Sequence, residues 1–116
     1  MTEPKAIFGN LDDLLANMVD DEVPEENISG EPKMKFAELV SQDSLQVGTW
    51  SCTPCDWQID FHEENEFMLV LSGRVRITSA DGDAKELTKG DVFFIPRGWS
   101  GRWETLETME KLYVII

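Results

Sequence analysis

The chain has one histidine, one tyrosine and two cysteines among 116 residues, and each scarcity closes off a reading. A site that needs several histidines is excluded, because His62 stands alone. Cys52 and Cys55 are too few for a disulfide framework, and a domain of this length buries a core without one. Basic residues are also scarce, ten against 23 acidic ones, giving a net charge of −13 and a pI near 4.2. Such a chain repels a phosphate backbone, and its basic residues have no aromatic interleaving, so nucleic-acid binding is not expected. No apolar run approaches the length of a membrane span. The start, Met1-Thr-Glu-Pro-Lys5, leads into an acidic segment without the apolar core of a signal peptide, so the expected location is the cytoplasm.

What is present suits one folded domain: 41% hydrophobic residues, with four tryptophans and six phenylalanines. The charge is uneven. Residues 1–33 carry nine acids and two bases, which reads as an acidic N-terminal arm ahead of a body over 34–116. Within the arm, Asn10 is placed to cap a short helix carrying Leu11, Leu14, Leu15 and Met18 at helical spacing, with Asp12 and Asp13 in its first turn. Val23 to Pro32 is turn-rich and reads as the link to the body. From Met34 onward, strand-like runs recur every eight to twelve residues: 35–40, 45–53, 57–62, 66–71, 75–79, 92–96 and 111–116. Asp81-Gly82 signals a hairpin with a type I′ turn into Ala84–Leu87, and Lys89-Gly90-Asp91 makes the next corner. An all-β barrel follows, and a small barrel encloses either side chains or one small ligand.

The stretch from Asp60 to Gly73 joins chemistry to strand. Gln58, Asp60 and His62 alternate with Trp57, Ile59 and Phe61, which predicts a strand with one polar and one oily face. Glu66 to Ser72 is nearly all apolar and reads as a strand covered on both sides, ended by a tight turn at Gly73.

These residues resemble a cupin. His62, Glu66 and Gly73 have the spacing of the second half of the first cupin motif, and Gly90, Pro96 and Gly98 that of the second motif. Gly48-Thr-Trp-Ser-Cys-Thr-Pro54 and Pro96-Arg-Gly-Trp-Ser-Gly-Arg-Trp103 resemble the small cupins related to the ureidoglycine aminohydrolases, over roughly residues 28 to 116. The resemblance implies an antiparallel jelly-roll barrel whose lumen receives Gln58, Asp60, His62 and Glu66. It also implies a metal site of three histidines and a glutamate. Here Asp60 stands at the first histidine position, His62 at the second and Glu66 at the glutamate, while Gly101 falls where the third histidine would be. His62, Glu66 and Asp60 are therefore an incomplete set for a divalent manganese, iron, nickel or zinc ion, and weak metal binding or none is expected.

Two readings of function follow. In the first, the protein binds a small polar or nitrogen-rich metabolite among Gln58, Asp60, His62, Glu66, Trp99 and Trp103, with the indoles as a flat wall. In the second, implied by the resemblance, it is a metal-dependent enzyme acting on a ureido or related small acid. Should the indoles instead fill the barrel, neither applies. Cys52-Thr-Pro-Cys55 has redox spacing but sits at a strand end, and the thiols are expected to be reduced and silent. A homodimer is expected, because Trp57, Ile59 and Phe61 face away from a polar lumen and need a cover.

Overall fold

The structure, a computed structural model, describes residues 3–116. It is a curled antiparallel sheet of nine strands: β1 (Val19–Asp20), β2 (Ile28–Ser29), β3 (Met34–Gln42), β4 (Leu45–Cys52), β5 (Cys55–Ile59), β6 (Glu66–Ser79), β7 (Ala84–Leu87), β8 (Val92–Ile95) and β9 (Gly101–Ile115). The all-β barrel expected from the strand spacing, and the jelly roll that the resemblance implies, is the fold observed. Its frame is the long pair β6 and β9. On its other edge β9 takes β4 along its second half and β5 along its first, giving the order β1-β3-β4-β9-β5-β2, while β6 carries β7 and β8. No helix among the described residues is long and apolar enough to cross a membrane.

The one helix among the described residues, α1 (Leu11–Ala16), is capped as its sequence dictates, with Asn10 Oδ1 accepting from Asp13 N at 3.1 Å. It lies against β3 and β4. The segment between the helix and Met34 adds two edge strands, β1 on β3 and β2 on β5. It is therefore paired to the barrel rather than only linking to it.

Four local expectations are corrected. Gly73 does not end a strand: β6 runs through it, with φ of +79° at an irregular stretch of its pairing with β9. A Cβ there would lie 2.1 Å from Thr108 O, so glycine serves close approach of two strands rather than a turn. The Asp81-Gly82 hairpin forms, but with four residues between the strands and a positive φ at Gly82 alone, so its turn is not type I′. The last strand begins ten residues earlier than expected, because its inward positions include Gly101, Thr105 and Lys111, which do not read as apolar.

The fourth correction concerns β5. Its inward residues are Cys55, Trp57 and Ile59, whereas Gln58 points outward and Asp60 is exposed. The polar face of this strand meets solvent and neighbours on the outside, where Arg102 pairs with Asp56 and Asn27 Nδ2 donates to Asp60 Oδ2 at 3.0 Å. Burial decides the side: the barrel interior is built from Met34, Trp50, Met68, Val70, Trp103, Met109 and Tyr113, and apolar faces turn toward it. The apolar patch on which the homodimer rested is thus largely internal. Ile59 is buried, Trp57 is half-buried, and only Phe61 is exposed, with the Arg97 guanidinium 5.9 Å from its ring centre.

Candidate functional site

A cavity of about 300 Å³ opens at one end of the barrel. Its floor is polar and its walls are aromatic. Glu66, the first residue of β6, is flanked by Ile95 of β8 and Ile115 of β9, which fixes its backbone from both sides. His62 sits beyond the end of β5, so strand parity does not aim it. Instead, His62 N donates to Trp99 O and Gly98 N donates to His62 O, each at 2.8 Å, so the second motif's loop holds the first motif's histidine in place. Asn65 contributes from the same turn, accepting from Arg97 N at 3.0 Å through Oδ1.

The third member of the floor was not legible in the sequence. Lys111 of β9 projects inward in phase with Met109 and Tyr113, between Trp50 of β4 and Val70 of β6. Its Nζ donates to Glu66 Oε2 at 2.8 Å and reaches Met68 Sδ at 3.2 Å. The ammonium also lies 4.4 Å from the ring centre of Trp50 and 5.1 Å from that of Trp103, and those faces carry the partial negative charge that a desolvated cation needs. Only 6% of Lys111 and 7% of Glu66 is exposed, so this is a buried ion pair. Burial by itself pushes the Glu66 carboxyl up. The Lys111 ammonium, with His62 beside it, outweighs that and holds the carboxyl down to about 2.

His62 Nε2 approaches Glu66 Oε1 at 3.3 Å, yet without the alignment of a hydrogen bond. It is a buried polar atom with no hydrogen-bond partner, and it faces the cavity. Glu66 Oε1 and Lys111 Nζ also keep unused bonding capacity. The walls are Trp50, Trp57 and Trp103, of which Trp50 and Trp103 meet edge to face at 5.8 Å, and Tyr113 stands nearby. Burial first, and then the field of Glu38, Asp21, Glu66 and Glu64, pushes the Tyr113 phenol up to about 12. Asp21, Glu22 and Glu38 line the cavity as well, and none of the three has a basic partner among the described residues.

Of the six residues expected to hold ligand, His62, Glu66 and Trp103 come together here. Gln58 and Asp60 lie outside, for the reason given by β5. Trp99 does not line the cavity: its ring packs over Gly101, where a Cβ would meet it at 2.3 Å. The residues that sequence reasoning missed are Lys111, Trp50, Trp57 and Tyr113. The signal for the first was a lysine in step with Met109 and Tyr113 on a strand of otherwise apolar inward positions.

A cupin metal centre does not fit this donor set. Asp60 is outside the barrel, Gly101 has no donor, and the remaining carboxylate is bonded to an ammonium. No cluster of three or more histidine, cysteine or carboxylate side chains that could hold a metal occurs among the described residues.

A family model for the EutQ-like cupin domain matches residues 40–113, most of the barrel. The chain belongs to the EutQ-like cupin family. No curated protein matches this EutQ-like cupin. Among solved structures it is similar to a protein of unknown function from Pseudomonas syringae pv. tomato, with a TM-score of 0.81 and 24% identity over 88% of this chain and 45% of that one. The chain thus spans under half the length of that protein. It is also similar to a putative ethanolamine utilization protein Q from Salmonella typhimurium, at TM-score 0.56 and 25% identity over 72% and 68% of the two chains. The EutQ protein of Clostridium difficile matches at TM-score 0.58 and 19% identity, over 82% and 79%.

Proposed function

We propose that this EutQ-like cupin binds one small, polar, nitrogen-bearing molecule in its barrel, with the Lys111–Glu66 pair in the place where metal-dependent relatives hold a metal. The observation that carries the reading is His62 Nε2, a buried polar atom at the floor of a cavity whose near neighbour, Glu66 Oε1 at 3.3 Å, is not aligned for a hydrogen bond. Polar atoms in a finished core are paired, so an unpaired one beside open space calls for a ligand or water. The size suits a small molecule: about 300 Å³ is roughly the share of ten liquid waters. Glu66 Oε1 supports a donor such as an amine or amide N–H, and Lys111 supports an acceptor. Asp21, Glu22 and Glu38 favour positive charge nearer the mouth. The aromatic walls would hold the ligand's flat or methylene surface.

The reaction of the ureidoglycine aminohydrolases, the subfamily suggested by the two sequence stretches, requires a metal that these donors do not fit. We derive no step through one. The test is a thermal-shift panel on the full chain with ethanolamine, simple amino acids and small amides, together with native mass spectrometry of protein purified without added ligand. Ethanolamine is included because the Salmonella relative carries that name and the molecule has the matching chemistry. The reading expects at least one probe to raise the melting temperature, and expects His62→Phe, which fills the cavity, to abolish the shift. Absence of any stabilisation or retained mass would overturn it.

A further inference from the structure

The Cys52-Thr-Pro-Cys55 turn lies outside the cavity's polar floor, and the structure gives it a geometry that the sequence did not. β4 ends at Cys52 and β5 begins at Cys55, and both pair with the same strand, β9, at Met109 and Thr105. Those two β9 residues are both buried, so both cysteine side chains turn inward and meet. We infer that Cys52 and Cys55 form a redox dithiol, which a hydroperoxide closes reversibly to an intramolecular disulfide, because their free sulfurs lie only 3.7 Å apart in a braced turn.

The brace is specific. Thr53 N donates to Lys33 O at 3.1 Å, Lys33 N donates to Thr53 Oγ1 at 2.7 Å, and Pro54 fixes its own φ. The two thiols therefore keep their separation without having to find each other. Closing to a bond of about 2 Å requires the sulfurs to approach by roughly 1.7 Å.

The two thiols are unequal, which assigns their order. Cys52 is fully buried and its thiol lies 3.1 Å from Thr53 O, to which it donates, while either sulfur can donate across the 3.7 Å contact between them. That contact, and then burial, push the Cys52 thiol up, whereas the same contact holds the Cys55 thiol down, to about 7, against the opposing effect of burial. Cys55 is also the more exposed, at 9%. Beside it runs β2, a two-residue edge strand paired to Asp56 and Trp57, followed by Gly30, where an added Cβ would come 3.9 Å from Cys55 Cβ. Such a short edge strand opens at little cost. Cys55 is thus the attacking thiol and Cys52 the resolving one.

The Cys55 thiolate attacks one peroxide oxygen, the O–O bond breaks, and the departing hydroxide takes a proton to become water, leaving a sulfenic acid. The Cys52 sulfur then attacks the Cys55 sulfur. The S–S bond forms, the S–O bond breaks, and hydroxide leaves with the Cys52 proton as a second water. Two thiols lose two electrons and two protons, and the peroxide gains them.

The experiment exposes reduced full-length protein to hydrogen peroxide, blocks remaining thiols with N-ethylmaleimide in denaturant, and weighs the intact chain. The expected result is replacement of the doubly labelled species by an unlabelled monomer lighter by two hydrogens. A Cys52–Cys55 cross-link in its peptides and full recovery of labelling after dithiothreitol should accompany it. In Cys52→Ser, dimedone should trap a sulfenic acid at Cys55. In Cys55→Ser, the remaining thiol should react at least about tenfold more slowly. Retention of both labels under conditions that oxidise free glutathione would overturn the inference. So would irreversible oxidation, or only intermolecular links. The wild-type result decides the matter even if a serine variant fails to fold.

Discussion

Replacing Lys111 with methionine keeps the length and apolar stem of the side chain but removes the charge that holds Glu66 ionised. A carboxyl held at about 2 rather than at its ordinary 4.5 is worth about 3 kcal/mol to the folded state above pH 4.5. That figure agrees with the general cost, about 3–5 kcal/mol, of removing one partner from a buried pair. Lys111→Met should therefore lower the melting temperature at pH 7 by about 10 °C in a domain of this size. The pH dependence should also change sign. In the natural protein the Glu66 pKa is depressed on folding, so its stabilisation is present above pH 4.5 and is lost as the pH falls toward 2. Without Lys111, only His62 still opposes burial, which is the largest single effect on this carboxyl, and the pKa rises above its unfolded value. The variant should then gain stability as the pH is lowered from 7 toward 5, as protonation relieves the stranded carboxylate. Lys111→Met/Glu66→Leu should recover most of the loss, since an apolar pair of similar volume replaces a buried ion pair at small cost. Calorimetry or circular-dichroism melts from pH 4 to pH 8 read all three effects. A Lys111→Met protein that melts like the natural one at pH 7, or whose stability falls from pH 7 to 5, would refute the argument.

Tyr113 is the only tyrosine, so ultraviolet titration reports on it alone; its midpoint should fall near 12, and a midpoint at 10 in protein still folded by circular dichroism would contradict the buried, acid-flanked setting. Gly73→Ala should cost about 3 kcal/mol or more, seen as insoluble protein or a large fall in melting temperature, because a Cβ would meet Thr108 O at a positive φ. Asn10→Ala should cost about 1 kcal/mol, with faster amide exchange confined to Leu11–Ala16 and no change in any ligand-induced thermal shift. Elemental analysis of dialysed protein should find manganese, iron, nickel and zinc well below one per chain; near-stoichiometric metal lost in His62→Ala and Glu66→Ala would restore the metal-enzyme reading.

The barrel was legible from residue pattern alone, since strand-length runs between turn residues leave an antiparallel all-β chain few alternatives. The capped helix at Asn10 and the corners at Gly82 and Gly90 were legible for the same reason: each depends on a residue's own backbone preference and near neighbours. His62 and Glu66 were found because they lie four residues apart within one motif. What the tertiary structure decided was everything that depends on which side of a strand is inside. Alternation in β5 showed two unlike faces but not which one the barrel would bury, and burial of Trp57 and Ile59 sent Gln58 and Asp60 outward. Lys111 lies 45 positions from Glu66, and only the pairing of β9 with β6 and β4 brings its ammonium to that carboxylate and between two indoles. Pairing of β4 and β5 with that same β9 aims Cys52 and Cys55 at each other, since local spacing sets how far apart two thiols can be and only the common partner strand sets their direction.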